Sequence, residues 1–273
     1  MRDATVVQSL IRRLPRGRRP AATLLGHLMR GQTRGVVHGA TFRLDLREYI
    51  QCRMYLGAYE PVETRWVQQY LQAGDCCVDV GASFGYYTAL MAQCVGPTGR
   101  VFAFEPSPVA APVLACAIAE SDLRQVRLTH AAVGDRAGVL PLYLESPYNV
   151  AHSPSLAAPE GSRRAVEVPV ITLDSFAPLA DWPIITLLKV DVEGYEPNVL
   201  RGMTALLAAR RVRYVLCEFH EWWLQQNGAT PDELHLLLTA AGFEVTHATA
   251  MVDVWIDGVS YTLQDRWYTH RDA

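Results

Sequence analysis

The chain has 273 residues, of which 50% are hydrophobic and 19% are charged. This composition supports one sizeable buried core and excludes a protein that is disordered over most of its length. The net charge of −3 is unevenly spread: the first 35 residues hold eight arginines and one aspartate (+7), which leaves about −10 for the remainder by subtraction. An acidic body lacks the basic face that phosphate binding requires, so we expect no nucleic-acid partner.

The cysteines and the apolar segments limit the protein class further. Six cysteines are present without the C-x-x-C spacing of a structural zinc or redox site, which favours reduced thiols. No stretch approaches the roughly 20 apolar residues of a membrane span, so we expect no stable membrane insertion. The arginine-rich start lacks the apolar core and cleavage site of a signal peptide. These features predict a cytoplasmic protein; its oligomeric state stays open, with a homodimer as one option.

Residues 1–60 are expected to form an N-terminal helical and hairpin extension. Apolar residues at helical spacing between arginines predict a basic amphipathic helix over about residues 4–30. This helix either packs on the body of the protein or touches a membrane surface. Residues 36–46 then carry the alternation of a small hairpin. The pair Glu60-Pro61 marks the start of a further helix.

From Cys76 onward, strands, glycine turns and helices alternate, which is typical of a parallel sheet with crossover helices. Residues 61–273 therefore predict an α/β, Rossmann-like domain with a seven-stranded, mostly parallel sheet and helices on both faces. The strands are expected near 76–80, 100–105, 125–130, 184–190, 212–219, 242–248 and 261–267. Residues 138–172 interrupt this order with two alternating segments, which predict a hairpin insertion. Its loop, about residues 146–163, is expected to be a lid or a mobile segment.

The segment VDVGASFGYYT, residues 78–88, predicts a nucleoside-binding turn. A buried strand leads into a turn through Gly81 and Gly85, where the absence of side chains lets the backbone approach a ligand. Asp79 stands at the carboxyl end of the strand, the edge at which open parallel sheets bind ligands. Glu105 ends the next strand about 20 residues after the turn, where a carboxylate accepts hydrogen bonds from ribose hydroxyls.

A nicotinamide-dependent oxidoreductase is the main alternative, because dinucleotide-binding folds share the strand, the glycine turn and the distal acid. Their G-x-G-x-x-G motif cradles a pyrophosphate, whereas this turn reads G-x-x-x-G and Asp79 would repel an anion. S-adenosylmethionine offers cationic ammonium and sulfonium groups instead, and Tyr86 or Tyr87 could add a cation–π face. A cofactor-binding protein without catalysis is the remaining alternative.

Four segments, VDVGASFGYYT, VFAFEPSP, THAAVGD and LLKVDVEGYE, resemble in this order the FkbM-type family of class I S-adenosylmethionine-dependent methyltransferases. The resemblance covers roughly residues 57–243, and LLKVDVEGYE followed by CEFH is its most specific part. It implies S-adenosylmethionine as the cofactor and methylation of a hydroxyl group on a sugar or secondary metabolite. The nearest variant is N-methylation of an amide or carbamate. A requirement for a divalent metal stays open.

The resemblance also implies where the cofactor binds. The predicted cofactor-binding residues are Asp79, Gly81, Ala82, Ser83, Phe84, Gly85, Tyr86, Glu105, Pro106, Ala131, Ala132 and Asp191. Ser83 departs from the asparagine common in that loop, which could alter one hydrogen bond. Tyr55 and Glu60 lie in the approach to the domain and are further predicted to close over the cofactor.

Methyl transfer to a hydroxyl needs an aligned acceptor and a base that takes the proton. Asp191 follows a predicted strand and is the first candidate base, with Glu193 or His220 as alternatives. The structural alternatives are helix capping for Glu193 and packing for His220. Lys189 should point to the same side as Asp191, so we expect it to pair with a carboxylate. Asp191, Glu193 and Glu218 could instead bind a divalent cation that chelates a substrate diol.

Overall fold

The computed structural model of the chain describes residues 2–13, 18–28, 33–144, 165–256 and 258–272. The helices are α1 Arg2–Arg13, α2 Arg18–Leu28, α3 Tyr49–Leu56, α4 Pro61–Tyr70, α5 Tyr86–Val95, α6 Ala110–Glu120, α7 Glu196–Arg201, α8 Thr204–Ala208, α9 Glu221–Gln226 and α10 Pro231–Ala240. The strands are β1 Thr33–Val37, β2 Ala40–Leu44, β3 Cys76–Val80, β4 Arg100–Phe104, β5 Val126–Thr129, β6 Ala132–Val133, β7 Gly138–Tyr143, β8 Ala165–Ile171, β9 Ile185–Val190, β10 Val212–His220, β11 Phe243–Ala248, β12 Val252–Ile256 and β13 Val259–His270.

The main sheet has the order β11-β13-β10-β9-β3-β4-β5, and β12 pairs with the first part of β13. Strands β10, β9, β3, β4 and β5 are parallel neighbours, while β13 runs antiparallel between β10 and β11. The seven predicted strands are confirmed. The described sheet has eight strands instead of seven, because β12, which the sequence did not predict, pairs with residues 259–263 at the start of β13.

Both faces of the sheet are covered, which explains why its central strands lack alternation in the sequence. Every residue of β3 and of β9 is buried. Helices α4, α5 and α6 contribute to a hydrophobic cluster on one face, and α7 to α10 contribute to a second cluster on the other. The carboxyl ends of the parallel strands are thereby left as the edge at which loops can form a site.

Residues of the predicted insertion form a sheet of their own. Strands β7 and β8 pair antiparallel, and β8 also pairs in parallel with the two-residue strand β6. Side chains from all three strands form a separate small hydrophobic cluster. The loop predicted over about 146–163 lies outside the described residues, so its role as a lid stays a prediction.

The N-terminal segment contains two helices, α1 and α2, where one amphipathic helix is predicted. Helix α1 docks on the body through polar side chains. Gln8 is 2% exposed, donates from Nε2 to the Tyr55 carbonyl at 2.8 Å and accepts from the Val36 amide at 2.7 Å. Arg12 Nε donates to the same Tyr55 carbonyl at 2.8 Å, which places a cation at the C-terminal end of α3.

The hairpin of β1 and β2 shares a hydrophobic cluster with α5 and with the central strands β3 and β9. Phe42, for example, is fully buried in that cluster. The extension and the main sheet therefore share one core. Within the described ranges, no helix has the length and apolar character needed to cross a bilayer.

Candidate active site

The loop between β3 and α5 is shaped by glycines in the left-handed region. Gly81 has φ +80° and Gly85 has φ +96°. A Cβ on Gly81 would lie 1.8 Å from the carbonyl oxygen of Asp191, so the loop approaches the end of β9 as closely as only glycine permits. The amides of Gly81 and Ala82 both donate to the Phe104 carbonyl at 3.0 Å. The loop therefore lies at the carboxyl ends of β3, β4 and β9.

Asp79 is the most deeply buried acid at this edge. It is 0% exposed, and its Oδ2 accepts from Thr88 Oγ1 at 2.6 Å. Its Oδ1 is buried and has no hydrogen-bond partner among the described residues. Burial raises the pKa of Asp79, while the nearby Lys189 and the Thr88 hydrogen bond lower it. A buried carboxylate oxygen without a donor is unfavourable, which marks a position for a donor from a ligand.

Glu105 connects the glycine loop to the loop after β4. Its Oε2 accepts from the Ser83 amide and its Oε1 from the Ser107 amide, each at 2.7 Å. Burial raises the pKa of Glu105 to about 7, and these two amide hydrogen bonds act in the opposite direction. The contact at position 83 is made by the backbone, so serine in place of asparagine leaves this hydrogen bond intact.

Five other predicted cofactor residues surround the same edge through packing. Ala82 and Phe84 are 5% and 7% exposed within the glycine loop. Ala131 and Ala132 are buried where β5 leads into β6. Pro106 is half-buried after β4, and its carbonyl lies 3.0 Å from the ring nitrogen Nε2 of His130. The structure thus places these residues in the three loops that follow β3, β4 and β5.

The two tyrosines left as alternatives by the sequence have different surroundings. Tyr87 presents its ring to Lys189, with 4.8 Å between Nζ and the ring centroid, and its hydroxyl donates to Glu60 Oε2 at 2.5 Å. The Tyr86 hydroxyl instead lies 2.9 Å from Thr64 Oγ1 on α4. They diverge because consecutive residues of a helix point about 100° apart. Tyr87 therefore supplies the aromatic face among the charged groups.

Glu60 and Tyr55, both predicted to close over the cofactor, have different locations. Glu60 lies among the charged groups. Burial and Asp191 raise its pKa to about 7, against the opposing effects of Lys189 and of hydrogen bonds. Tyr55 is 0% exposed, and its ring atom Cδ2 would lie 2.6 Å from a Cβ on Gly35. Its hydroxyl is buried without a hydrogen-bond partner among the described residues, and the residue belongs to the hydrophobic cluster shared by the hairpin and α5. Its packing is that of a core residue.

Lys189 and Asp191 form an ion pair in which the lysine is buried and the aspartate is half-buried, as the strand periodicity predicts. Nζ lies 2.9 Å from Asp191 Oδ2, and the two side chains are 5% and 27% exposed. Burial by itself lowers the pKa of a lysine, but Asp191, Asp79 and Glu60 together raise that of Lys189 above its usual value. The ammonium therefore stays charged and orients Asp191, whose carboxylate retains access to solvent at the crevice.

The turn after β9 is stabilised by Glu196, which the sequence analysis did not single out. Glu196 is 1% exposed, and its Oε1 accepts from the amides of Val192 at 2.9 Å and Gly194 at 3.2 Å. Glu193 has φ +53°, and its carbonyl accepts from Asn227 Nδ2 at 3.2 Å. Glu196 thus holds the turn that precedes α7, whose N-cap residue, Tyr195, makes no side-chain capping hydrogen bond. The acid in the first turn of α7 was the signal available for it.

Three carboxyl groups, which we call the carboxyl row, lie side by side on neighbouring strands: Asp191, Glu218 and Asp265. Val190 pairs with Cys217 in the parallel ladder, so the next residues, Asp191 and Glu218, are neighbours. Glu218 pairs directly with Asp265 across β10 and β13. Cross-strand partners point to the same face of a sheet. Asp265 could not be identified from the sequence, because only this long-range pairing brings it to the site.

Burial and mutual repulsion change the ionisation of this region. Burial raises the pKa values of Glu218 and Asp265 well above the usual range, and nearby carboxyl groups including Asp191 raise them further. Glu218 Oε2 is buried without a partner among the described residues. Burial lowers the pKa of His220, although Asp191 opposes this, and its Nδ1 also lacks a partner there. The imidazole is therefore neutral at neutral pH and can accept a proton.

In the part of the chain that the structure describes, no side chains are arranged to support the alternative of a metal site. There, no group of three or more His, Cys, Asp or Glu side chains is positioned to hold a metal ion. Asp191, Glu193 and Glu218 are therefore not such a group. Carboxyls on successive strands are spaced about 4.8 Å apart along the hydrogen-bonding direction, so the carboxyl row extends across the sheet.

The fold and this edge together define a class of protein. The glycine loop lies where the chain changes direction across the sheet, between β4 on one side and β9 on the other, which is where Rossmann-like folds bind nucleoside cofactors. Asp79, Glu60 and the Tyr87 ring surround that loop with groups that favour a cation over a pyrophosphate. The class is that of a Rossmann-like enzyme for a nucleoside cofactor with a positively charged end.

Comparison with known proteins specifies the family. Residues 79–245 match the model of the methyltransferase FkbM domain, which is more than half of the chain. The chain belongs to the FkbM methyltransferase family and carries an S-adenosylmethionine-dependent methyltransferase domain.

Individual relatives are more distant. The hexuronic acid methyltransferase AglP of Haloferax volcanii is 27% identical over 186 residues, which are 65% of this chain and 66% of that protein. The chain thus spans just under two thirds of this relative's length. A methyltransferase FkbM structure from Methylobacillus flagellatus KT is 13% identical, covers 80% of this chain and 54% of its own, and has a TM-score of 0.44. A putative rRNA methylase structure from Clostridium thermocellum is 11% identical, covers 76% and 94%, and has a TM-score of 0.45.

Proposed function

We propose that this chain transfers the methyl group of S-adenosylmethionine to a hydroxyl group of a sugar or secondary metabolite. The observation that carries the proposal is the position of Asp191, a carboxylate held by buried Lys189 and 27% exposed beside the glycine loop. A carboxylate at that edge can accept the proton that a hydroxyl loses as its oxygen is methylated. The similarity to a methyltransferase named for a sugar acid supports a small-molecule acceptor.

The residues at the edge fit the cofactor. The orphan Oδ1 of Asp79 is a buried acceptor that no described group of the chain satisfies, and it suits an ammonium group. Glu105 keeps lone pairs on both carboxyl oxygens for ribose hydroxyls while it holds the loop amides. When bound, the cofactor supplies a methyl group on a sulfonium. The chain contributes the cofactor cradle, the orientation of the acceptor and a place for the proton.

Asp191 is the proposed base, and His220 is the alternative because its imidazole is neutral and its Nδ1 is unpaired among the described residues. We expect Asp191→Asn to retain its affinity for S-adenosylmethionine within a few-fold and to lose about 10²- to 10⁴-fold in kcat. Calorimetry gives the affinity, and formation of S-adenosylhomocysteine with a panel of hydroxyl and amide acceptors gives the rate. The amide acceptors test the N-methylation variant.

His220→Asn is the matched comparison, and Asp253→Asn removes an exposed acid of β12 as the control for a lost charge. A large loss in His220→Asn with little loss in Asp191→Asn would transfer the base role to the histidine. Undiminished turnover in both variants would show that neither Asp191 nor His220 is the base in this mechanism. The control is expected to match the unchanged protein.

A further inference from the structure

Acidic groups outnumber basic groups at the carboxyl row. Glu60, Asp79, Asp191 and Asp265 interact electrostatically with Lys189, which is the only lysine of the chain. That lysine is already paired with Asp191 at 2.9 Å. Lys189 is the cation among the groups with the largest influence on the ionisation of Glu60, Asp79 and Asp265.

The arginine of β13 does not add a positive charge to this face of the sheet. Arg266 follows Asp265 in the strand, and successive residues of a strand point to opposite faces. The guanidinium carbon of Arg266 lies 4.2 Å from the centroid of the Phe219 ring, and Nε donates to Gln264 Oε1 at 2.8 Å. Both contacts hold the guanidinium away from the face that carries Asp265.

Two buried acceptors show that this face is incomplete without a ligand. Asp79, 0% exposed and the cross-strand partner of Lys189, has an Oδ1 without a donor among the described residues. Glu218 Oε2 is likewise buried and without a partner there. Bound S-adenosylmethionine brings one net positive charge, because its ammonium and sulfonium outweigh its one carboxylate. That charge does not offset the acidic groups, and the burial that raises the pKa values of Glu218 and Asp265 disfavours a further anion beside them.

Resting on the proposed function, we infer that the carboxyl row forms the wall of the acceptor site and selects an acceptor without negative charge. A neutral sugar suits the row because a carboxyl group can accept from a hydroxyl and, when protonated, donate to one. An amino sugar suits it because its ammonium would pair with an ionised carboxylate. A uronic acid would place a carboxylate beside Asp191 and Glu218 without a cation to compensate, which disfavours it.

The test compares three acceptors that share one ring: the phenyl glycosides of glucose, glucuronic acid and glucosamine. Binding of each to the protein saturated with S-adenosylhomocysteine is measured by saturation-transfer NMR, and methyl transfer is measured with S-adenosylmethionine. We expect the glucuronide to bind and react at least about tenfold less well than the other two. The double variant Glu218→Gln/Asp265→Asn is expected to reduce that discrimination to within about threefold.

Asp253→Asn is the matched control, because it removes one acid from β12. Asp253 pairs with Thr262, whose hydroxyl bonds Glu221 on the other face of the sheet. This variant should keep the full discrimination. Glucuronide binding that equals or exceeds glucoside binding would overturn the inference and leave the proposed function standing. The expected order of binding without any methyl transfer would instead refute the proposed function alone, and binding of none of the three would refute both.

Discussion

Replacing Lys189 with methionine isolates the contribution of the one buried cation at the site. Its side chain is 5% exposed, and Nζ lies 2.9 Å from Asp191 Oδ2 on the same face as Asp79. Methionine fills a similar volume, so the change removes charge without opening a large cavity. Losing one partner of a fully buried ion pair costs about 3–5 kcal/mol. Because the Asp191 side chain is 27% exposed, water recovers part of this, and we expect a loss of about 2–3 kcal/mol in the free energy of unfolding.

Urea denaturation at neutral pH of four proteins measures this energy: the unchanged chain, Lys189→Met, Asp191→Asn and the double variant. An asparagine at position 191 needs no counter-charge, so the double variant should be at least about 1 kcal/mol more stable than Lys189→Met alone. A Lys189→Met protein within about 0.5 kcal/mol of the unchanged chain would refute the reasoning. So would a double variant no more stable than the single one, since Asp191 would then not be the group that the lysine neutralises.

Two further predictions concern the loops that shape the site. Gly81→Ala should abolish S-adenosylmethionine binding in calorimetry, because its Cβ would meet the Asp191 carbonyl at 1.8 Å; Gly258→Ala has the same φ of +80° and open space, so it should lose only about 1–2 kcal/mol of stability. Equal effects of the two substitutions would show that the strain of the positive φ, and not the close approach of the Cβ to the Asp191 carbonyl, causes the loss. Burial raises the pKa of Glu196 to about 7 from its ordinary 4.5, so the stability this group contributes is present in acid and declines between about pH 4.5 and pH 7. Glu196→Gln should flatten that decline in urea titrations, and an unchanged pH profile would assign it to other groups.

The site could be located from the sequence because its main parts are local. Gly81 and Gly85 bend the chain at a strand end, and Asp79 and Glu105 lie within a few residues of strand ends whose apolar runs are visible in one dimension. Parallel strands bring their carboxyl ends to one edge whatever lies between them, so the positions of these acids followed from strand assignment alone. The pairing of Lys189 with Asp191 followed from the two-residue period of a strand.

Other features depended on contacts between distant segments. The choice between Tyr86 and Tyr87 depended on which side of α5 faces Lys189 and Glu60. Tyr55 looks like an approach residue in the sequence, yet packing of the hairpin against α3 makes it part of the core. Neither outcome follows from the local periodicity of the sequence, because each depends on how separate helices and strands pack against one another.

The sequence by itself determined seven of the eight strands described in the main sheet, the glycine loop, its acids and the family to which they belong. Only the tertiary structure decided that Asp265 joins Asp191 and Glu218, because the antiparallel placement of β13 beside β10 pairs residues 47 positions apart. It also decided that α1 docks through Gln8 and Arg12, since the carbonyls they bind, those of Val36 and Tyr55, come from β1 and α3. The physical reason is the same in each case: local geometry sets the direction of a side chain, and the folded chain sets its neighbours.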